Sequence, residues 1–158
     1  MNLFIFPYQS ENFYTCPDTA VNQSGKGEYW VPDGIDTLRA IPFVYVRINR
    51  AAKCSGADYA FRHYSQCGYG IHLTSYDVNE GNTLDSSIFI SDSTPTEGSG
   101  PYPGFEAFDS AIERASQYMS LRSGDIIALE LEDCAAYEVH PGGEERLDYK
   151  ELIVKILS

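Results

Sequence analysis

The stretch IPFVYVRINRAAKC, residues 41–54, alternates in the manner of a β-strand, and its reading decides how the rest of the chain is understood. Successive side chains along a strand point to opposite faces. One face therefore carries Ile41, Phe43, Tyr45, Arg47 and Asn49, and the other Val44, Val46, Ile48 and Arg50. The stretch is apolar at one end and basic at the other, and no carboxylate lies in it. What the face bearing Ile41 and Phe43 looks at decides whether this strand carries catalytic machinery.

A chain of 158 residues, 43% of them hydrophobic, is long enough for one core and short for two, so a single domain over residues 1–158 is expected. The 12 tyrosines, together with more strand-like than helical runs, predict a mainly β fold. With 11 Lys and Arg against 23 Asp and Glu, the net charge is −12. Such a field repels phosphate backbones and anionic lipid, which argues against nucleic-acid and membrane partners. It also opposes anionic substrates unless a metal or a local basic patch offsets it. The opening MNLFIFPYQSENFY has no basic n-region and its apolar run stops at Pro7, so neither a signal peptide nor a membrane span is expected. Cys16, Cys54, Cys67 and Cys134 lie far apart without a C-x-x-C pair, the pattern of reduced thiols in a cytoplasmic protein rather than of a zinc site or disulfide framework.

Along the chain, NLFIF reads as a short strand followed by a polar loop to Gly27, and EYWVP (28–32) as a second strand. After the quoted strand, SGADYAFRHYSQCG (55–68) reads as a helix: Ser55 can cap it, Asp58 sits near capping-box spacing, and Gly68 stops it. YGIHLTSYDV and SSIFIS are further strands separated by the turn NEGNTLD, and TPTEGSGPYPG is a loop. A helix over roughly 105–121 follows, with Phe105, Phe108, Ile112, Ala115 and Met119 on one face. DIIALELE, AAYEVH and ELIVKIL complete the strands, giving an α+β domain with two helices.

Few constellations carry chemistry. Glu130 and Glu132 share a face at i, i+2 and could hold Mg²⁺ or Ca²⁺; as an antiparallel strand with Ile127, Leu129 and Leu131 inside, the same stretch leaves both glutamates in water. His63 and Cys67, four apart on the expected helix, form a potential imidazole–thiolate pair with no evident oxyanion donor. His72 and His140 read as solvated or hydrogen-bonded side chains. GSGPYPG lacks the Gly-Lys-Ser/Thr ending of a phosphate loop, and no G-x-S-x-G elbow occurs.

Several segments, in order along most of the chain, resemble the fumarylacetoacetate hydrolase family, and most closely its small bacterial acylpyruvase and isomerase-like branch. CPDTA (16–20) resembles the family's Lys-Pro-Asp-Ser/Thr-Ala segment, and Pro32–Asp33 its later Pro-Asp. VRINR (46–50) matches the end of a strand that begins Glu-x-Glu in the family. YAFRHYSQ, LTSYDV, LDSSIFIS, SQYMSLRSGDII and the closing EERLDYKELIVKIL resemble successive later segments. The resemblance implies a mixed β-sheet roll with two short helices, and often a homodimer. It also implies metal-assisted C–C hydrolysis, decarboxylation or isomerisation of oxo-acids. There a Mg²⁺ or Mn²⁺ ion held by two Glu and an Asp stabilises an enolate as a Lewis acid.

Carried over residue by residue, the resemblance places the two glutamates at Ile41 and Phe43 and the aspartate at or near Thr74. The first-segment lysine becomes Cys16, a second lysine falls on Asn82, and the Gly-Thr-Pro after Gly-Asp gives way to ALELE (128–132). Mg²⁺ requires anionic oxygens, and Ile and Phe supply none. The expectation is a shortened, non-catalytic relative without metal or cofactor. It would bind a small oxo-acid-like molecule or pair with a copy of itself or an active paralogue. Cys16, Tyr45, Asp77 and Asn82 are the expected pocket residues. Two alternatives stand beside it: an enzyme rebuilt around Asp77, Glu130 and Glu132, and an unrelated β binding module.

Overall fold

A computed structural model describes residues 1–75, 84–96 and 100–158. Asp77 and Asn82 lie outside the described residues, as does most of the turn expected at 79–85. In chain order the strands are β1 (Asn2–Phe6), β2 (Tyr14–Pro17), β3 (Glu28–Trp30), β4 (Thr37–Ile48), β5 (Tyr64–Thr74), β6 (Ile88–Ile90), β7 (Thr94–Pro95), β8 (Ile126–Glu130), β9 (Ala135–Glu138), β10 (Glu144–Tyr149) and β11 (Leu152–Leu157). Among the described residues one α-helix, α1 (Glu106–Tyr118), accompanies them, with 3-10 segments at Asp18–Ala20 and Ala57–His63. This is the mixed-sheet α+β architecture expected. Two compact units interleave along the chain: Met1–Asp18, Val44–Gly68 and Asp92–Glu130 form one, and Thr19–Phe43, Tyr69–Ser91 and Leu131–Ser158 the other.

The first unit contains strands in the order β2-β1-β8-β4-β5, with β7 on β5. β1 and β8 pair in parallel, Leu3 opposite Ile126 through Phe6 opposite Leu129. Both are continuous apolar runs because both faces are covered; Leu3, Phe4, Ile5, Ile126, Ile127 and Ala128 are almost fully buried. α1 lays Phe108, Ala111, Ile112 and Ala115, spaced for one helical face, against Phe4, Val46, Ile48 and Ile127. Met119, expected on that face, lies just past the helix end and is exposed.

Two expectations change here. The polar stretch before Gly27 contains β2, which pairs with β1. The helix expected over 55–68 is only a 3-10 turn, and Tyr64 already begins β5. Its amides are satisfied from α1 instead of from a local cap: Ser55 N–H donates to Ser116 Oγ at 3.0 Å and Ala57 N–H to Glu113 Oε2 at 2.8 Å. A short segment served by such long-range acceptors gains little from extending a helix whose residues pair better as a strand.

The second unit contains the order β9-β4-β5-β6 and a separate sheet β10-β11-β3. Its core joins Leu38, Ala40, Ile71 and Leu73 to Tyr29, Leu147, Val154 and Ile156 of the smaller sheet. None of the four cysteines is joined in a disulfide. No helix among the described residues is long and apolar enough to cross a membrane.

Candidate functional site

In the second unit, the face of β4 bearing Ile41 and Phe43 shares one side of the sheet with side chains of the neighbouring strand β5. A Cβ built on Gly70 would point straight into the Phe43 ring, 2.7 Å from Cε2. Gly70 therefore lies on the shared face, and by alternation so do His72 and Thr74. Phe43, His72 and Thr74 are 0%, 0% and 2% exposed, so this face is closed around Phe43, while Ile41 is half-buried. The Phe43 ring occupies the space a side chain at residue 70 would need, and its burial favours folding by roughly 1.5–3 kcal/mol. The structure thus brings Ile41, Phe43 and Thr74 to one surface. As a donor set for a hard divalent ion they do not fit: only Thr74 carries a side-chain oxygen, and its Oγ1 has no hydrogen-bond partner among the described residues.

The remaining candidates disperse. Tyr45, in the first unit, lies over Gly68 as Phe43 lies over Gly70, a built Cβ there falling 2.6 Å from the ring. Its Oη is 3.1 Å from Ser93 Oγ, to which Arg47 Nε also donates at 3.4 Å. Cys16 is buried on β2 opposite Leu3.

Glu130 closes β8, 9% exposed, and accepts a 2.6 Å hydrogen bond from Tyr14 Oη. Glu132 lies beyond the strand and is exposed. The expected wet pair is thereby corrected for Glu130, whose partner comes from β2 and allows the carboxylate to be buried. β8 is also parallel to β1 rather than part of a purely antiparallel arrangement. The imidazole–thiolate pair is overturned as well, because Cys67 sits on β5 with Sγ 3.8 Å from Thr94 Oγ1. His63 Nδ1 donates to the Arg50 carbonyl at 3.2 Å, which leaves Nε2 to accept from Ser55 Oγ at 3.1 Å. Among the described residues, no group of three or more His, Cys, Asp or Glu is placed to hold a metal ion.

Also in the second unit, the opposite face of β4 borders an open cavity of about 530 Å³. Ala40 and Pro42 line it with Ile71, Leu131 and Leu147, and two phenols, Tyr137 and Tyr149, reach it from β9 and β10. Burial raises both phenol pKa values; Glu145 adds to this at Tyr137, and Tyr69 and then Asp133 add at Tyr149. No local pattern signals this cavity, since its walls come from segments around 40, 71, 131–137 and 147–149 that only the sheets bring together. None of the sequence-expected residues that are described lines it.

Solved structures share this fold across nearly the whole chain. A candidate isomerase from Escherichia coli superposes with a TM-score of 0.74 at 14% identity, covering 99% of this chain and 91% of that one. A candidate fumarylpyruvate hydrolase from Burkholderia cenocepacia gives 0.72 at 14% identity, with 99% and 87% covered. Maleylpyruvate hydrolase from Sphingobium sp. SYK-6 gives 0.71 at 13% identity, with 99% and 70% covered. No protein-family model and no curated protein matches the chain in sequence. The fold is a mixed-sheet α+β fold shared with isomerases and hydrolases. More narrowly, it is the fold of the fumarylacetoacetate hydrolase family, as the motifs from CPDTA to EERLDYKELIVKIL suggested.

Proposed function

We propose that this chain is a non-catalytic relative of the metal-dependent hydrolases and isomerases that share its fold, and that it acts in the cytoplasm by binding a small molecule. The observation that supports this reading is Phe43, fully enclosed against Gly70, at a position where the resemblance expects a metal-ligating carboxylate. Beside it Ile41 takes the place of a second carboxylate and Thr74 that of the third. An ion such as Mg²⁺ would lose hydration water at this surface and gain no anionic oxygen from those three side chains. By analogy with such proteins, the working form is a homodimer of the 17.6 kDa chain, which light scattering reads directly.

The test is a thermal melt of the full chain with Mg²⁺ or Mn²⁺, alongside an acylpyruvate hydrolysis assay. The expected result is an unchanged Tm and no hydrolysis above the uncatalysed rate. Metal-dependent turnover would overturn the reading. One observation favours the runner-up, an active oxo-acid hydrolase or isomerase with a rebuilt site: the buried Glu130 carboxylate held by Tyr14. That alternative requires turnover to be abolished by Glu130→Ala.

A further inference from the structure

The cavity beside Pro42 has the chemistry of a binding site, and its chemistry differs from that of an oxo-acid pocket. At about 530 Å³ it falls within the size range of small-molecule sites. Its walls are aliphatic at Ile71, Leu131 and Leu147, and Leu147 at 8% exposure is also part of the unit's core.

The ionisable groups on the wall are acidic or phenolic, apart from the Cys134 thiol, and among the described residues no Lys, Arg or His lines it. Asp148 is already engaged, because Arg146 Nε donates to its Oδ1 at 3.2 Å. Asp133 has no ion pair among the described residues and lies close enough to Tyr149 to raise that phenol's pKa. Lys150 sits over Tyr149 and Tyr69 with its Nζ 5.6 and 4.9 Å from their centroids. It is not among the lining residues. An anion entering here would meet Asp133 with no opposing charge on the wall, inside a chain of net charge −12. A cation with an apolar body would meet a carboxylate at the mouth, aromatic faces beside it and aliphatic surface beneath.

We propose that this cavity binds a small primary amine with an aromatic or aliphatic body, its ammonium at Asp133 and its body against Ile71, Leu131 and Leu147. The proposal names the ligand class and the place of binding, on the face of β4 opposite Ile41 and Phe43. It rests on the small-molecule-binding part of the function above and not on the absence of catalysis, so the metal and hydrolysis assays cannot decide it.

The test is calorimetric titration of the full chain with three indoles of one body and different charge: tryptamine, 3-methylindole and indole-3-propionate. Tryptamine is expected to bind saturably at one site, at least tenfold more tightly than the propionate and severalfold more tightly than the neutral probe. Asp133→Asn should weaken tryptamine by about three- to tenfold and leave 3-methylindole unchanged. Ala135→Trp, an exposed lining residue, should fill the space and remove binding of both. Should that variant misfold by circular dichroism, alkylation mapped by mass spectrometry serves instead. Saturating tryptamine should slow modification of Cys134 on the wall and leave the exposed Cys54 of the other unit as reactive as before. The proposal fails if tryptamine shows no saturable binding, if the propionate binds as tightly, if Asp133→Asn has no effect, or if Cys134 is not protected.

Discussion

Pro42 and Phe43 are neighbours on β4 that look in opposite directions, and the surroundings of each could hardly differ more. Phe43 is sealed, 0% exposed, with its ring filling the space above Gly70. Pro42 is half-buried and borders an open cavity whose rim is exposed at Asp133, Cys134 and Ala135. Both belong to the same unit and the same strand. A sheet whose two faces alternate residue by residue can give up one face to packing without losing the other for recognition. On the sealed side, the buried Phe43 ring contributes stability through packing. On the open face, carboxylates and phenols stand over aliphatic walls, the chemistry from which binding of an amine is proposed.

The comparison breaks most decisively at Phe43. Phe43→Glu removes a buried ring and forces a carboxylate into a closed apolar site, with an expected cost of about 4 kcal/mol or more. Urea unfolding measures it. The introduced acid would have its native pKa raised by desolvation, above the unfolded value of about 4.3. The native state then binds more protons than the unfolded state between the two values. The variant's deficit should therefore shrink as pH falls through the raised value and grow again as pH rises. A mild, pH-independent loss would mean that the face is open, and the contrast with Pro42 would collapse.

Gly70→Ala probes the same packing from the other strand. The new Cβ would meet the Phe43 ring and the Phe89 carbonyl, both closer than real Cβ contacts allow. Since a backbone atom cannot move aside as a side-chain tip can, the expected cost is about 2–3 kcal/mol. Gly142→Ala, with open space around its Cβ but a φ of +75°, serves as a control for backbone strain alone and should cost less, about 1 kcal/mol.

On the open face the same kind of truncation should matter little. Leu131→Ala removes a half-buried side chain that borders an existing cavity. Few packing contacts are lost, so about 1 kcal/mol is expected, against the 3–5 kcal/mol typical of truncating a fully buried aromatic such as Phe43. A Leu131→Ala loss equal to that of Phe43→Ala would show that the two faces do not differ in packing.

How much of this was legible in the sequence follows from the range of the interactions involved. The alternation of residues 41–48 and the apolar runs of β1 and β8 are local signals, and they yielded strands. The 3.6-residue stripe from Phe105 to Ala115 yielded α1 within a turn at its end. The segment at 55–68 misled because capping signals also look local, whereas the groups that satisfy its amides, Ser116 and Glu113, lie on α1. Glu130 misled for the same reason: its spacing from Glu132 suggested a solvated face, but Tyr14 reaches it from 116 residues away. The Ile41–Phe43–Thr74 surface could be assembled because alternation and the family resemblance both pointed to it. The cavity could not be, since Ala40, Pro42, Ile71 and the lining residues near 133 and 148 have no pattern in common until the strands pair.

The smallest expected effect lies in the core that backs the cavity. Tyr29 on β3 is 3% exposed, and its hydroxyl has no hydrogen-bond partner among the described residues. Desolvation by burial, with a smaller contribution from Asp85, pushes its pKa up to about 12. Below about pH 10 the phenol is protonated in both folded and unfolded chains and contributes no pH dependence. Between about 10 and about 12 the unfolded chain releases the proton while the native state retains it, so stability falls as pH rises through that window. Tyr29→Phe deletes an unpaired buried hydroxyl and keeps the ring, so at pH 7 it should be neutral or stabilising by up to about 1 kcal/mol. In the alkaline window the variant should unfold with a shallower pH slope than the parent, by up to about 1.4 kcal/mol per pH unit. Denaturant midpoints at pH 7, 10 and 11.5 measure both effects. If Tyr29→Phe were clearly destabilising at pH 7, the hydroxyl would have to be paired. The core behind the cavity would then be as fully satisfied as the sealed face above Gly70, and the contrast between the two sides of β4 would narrow to the cavity alone.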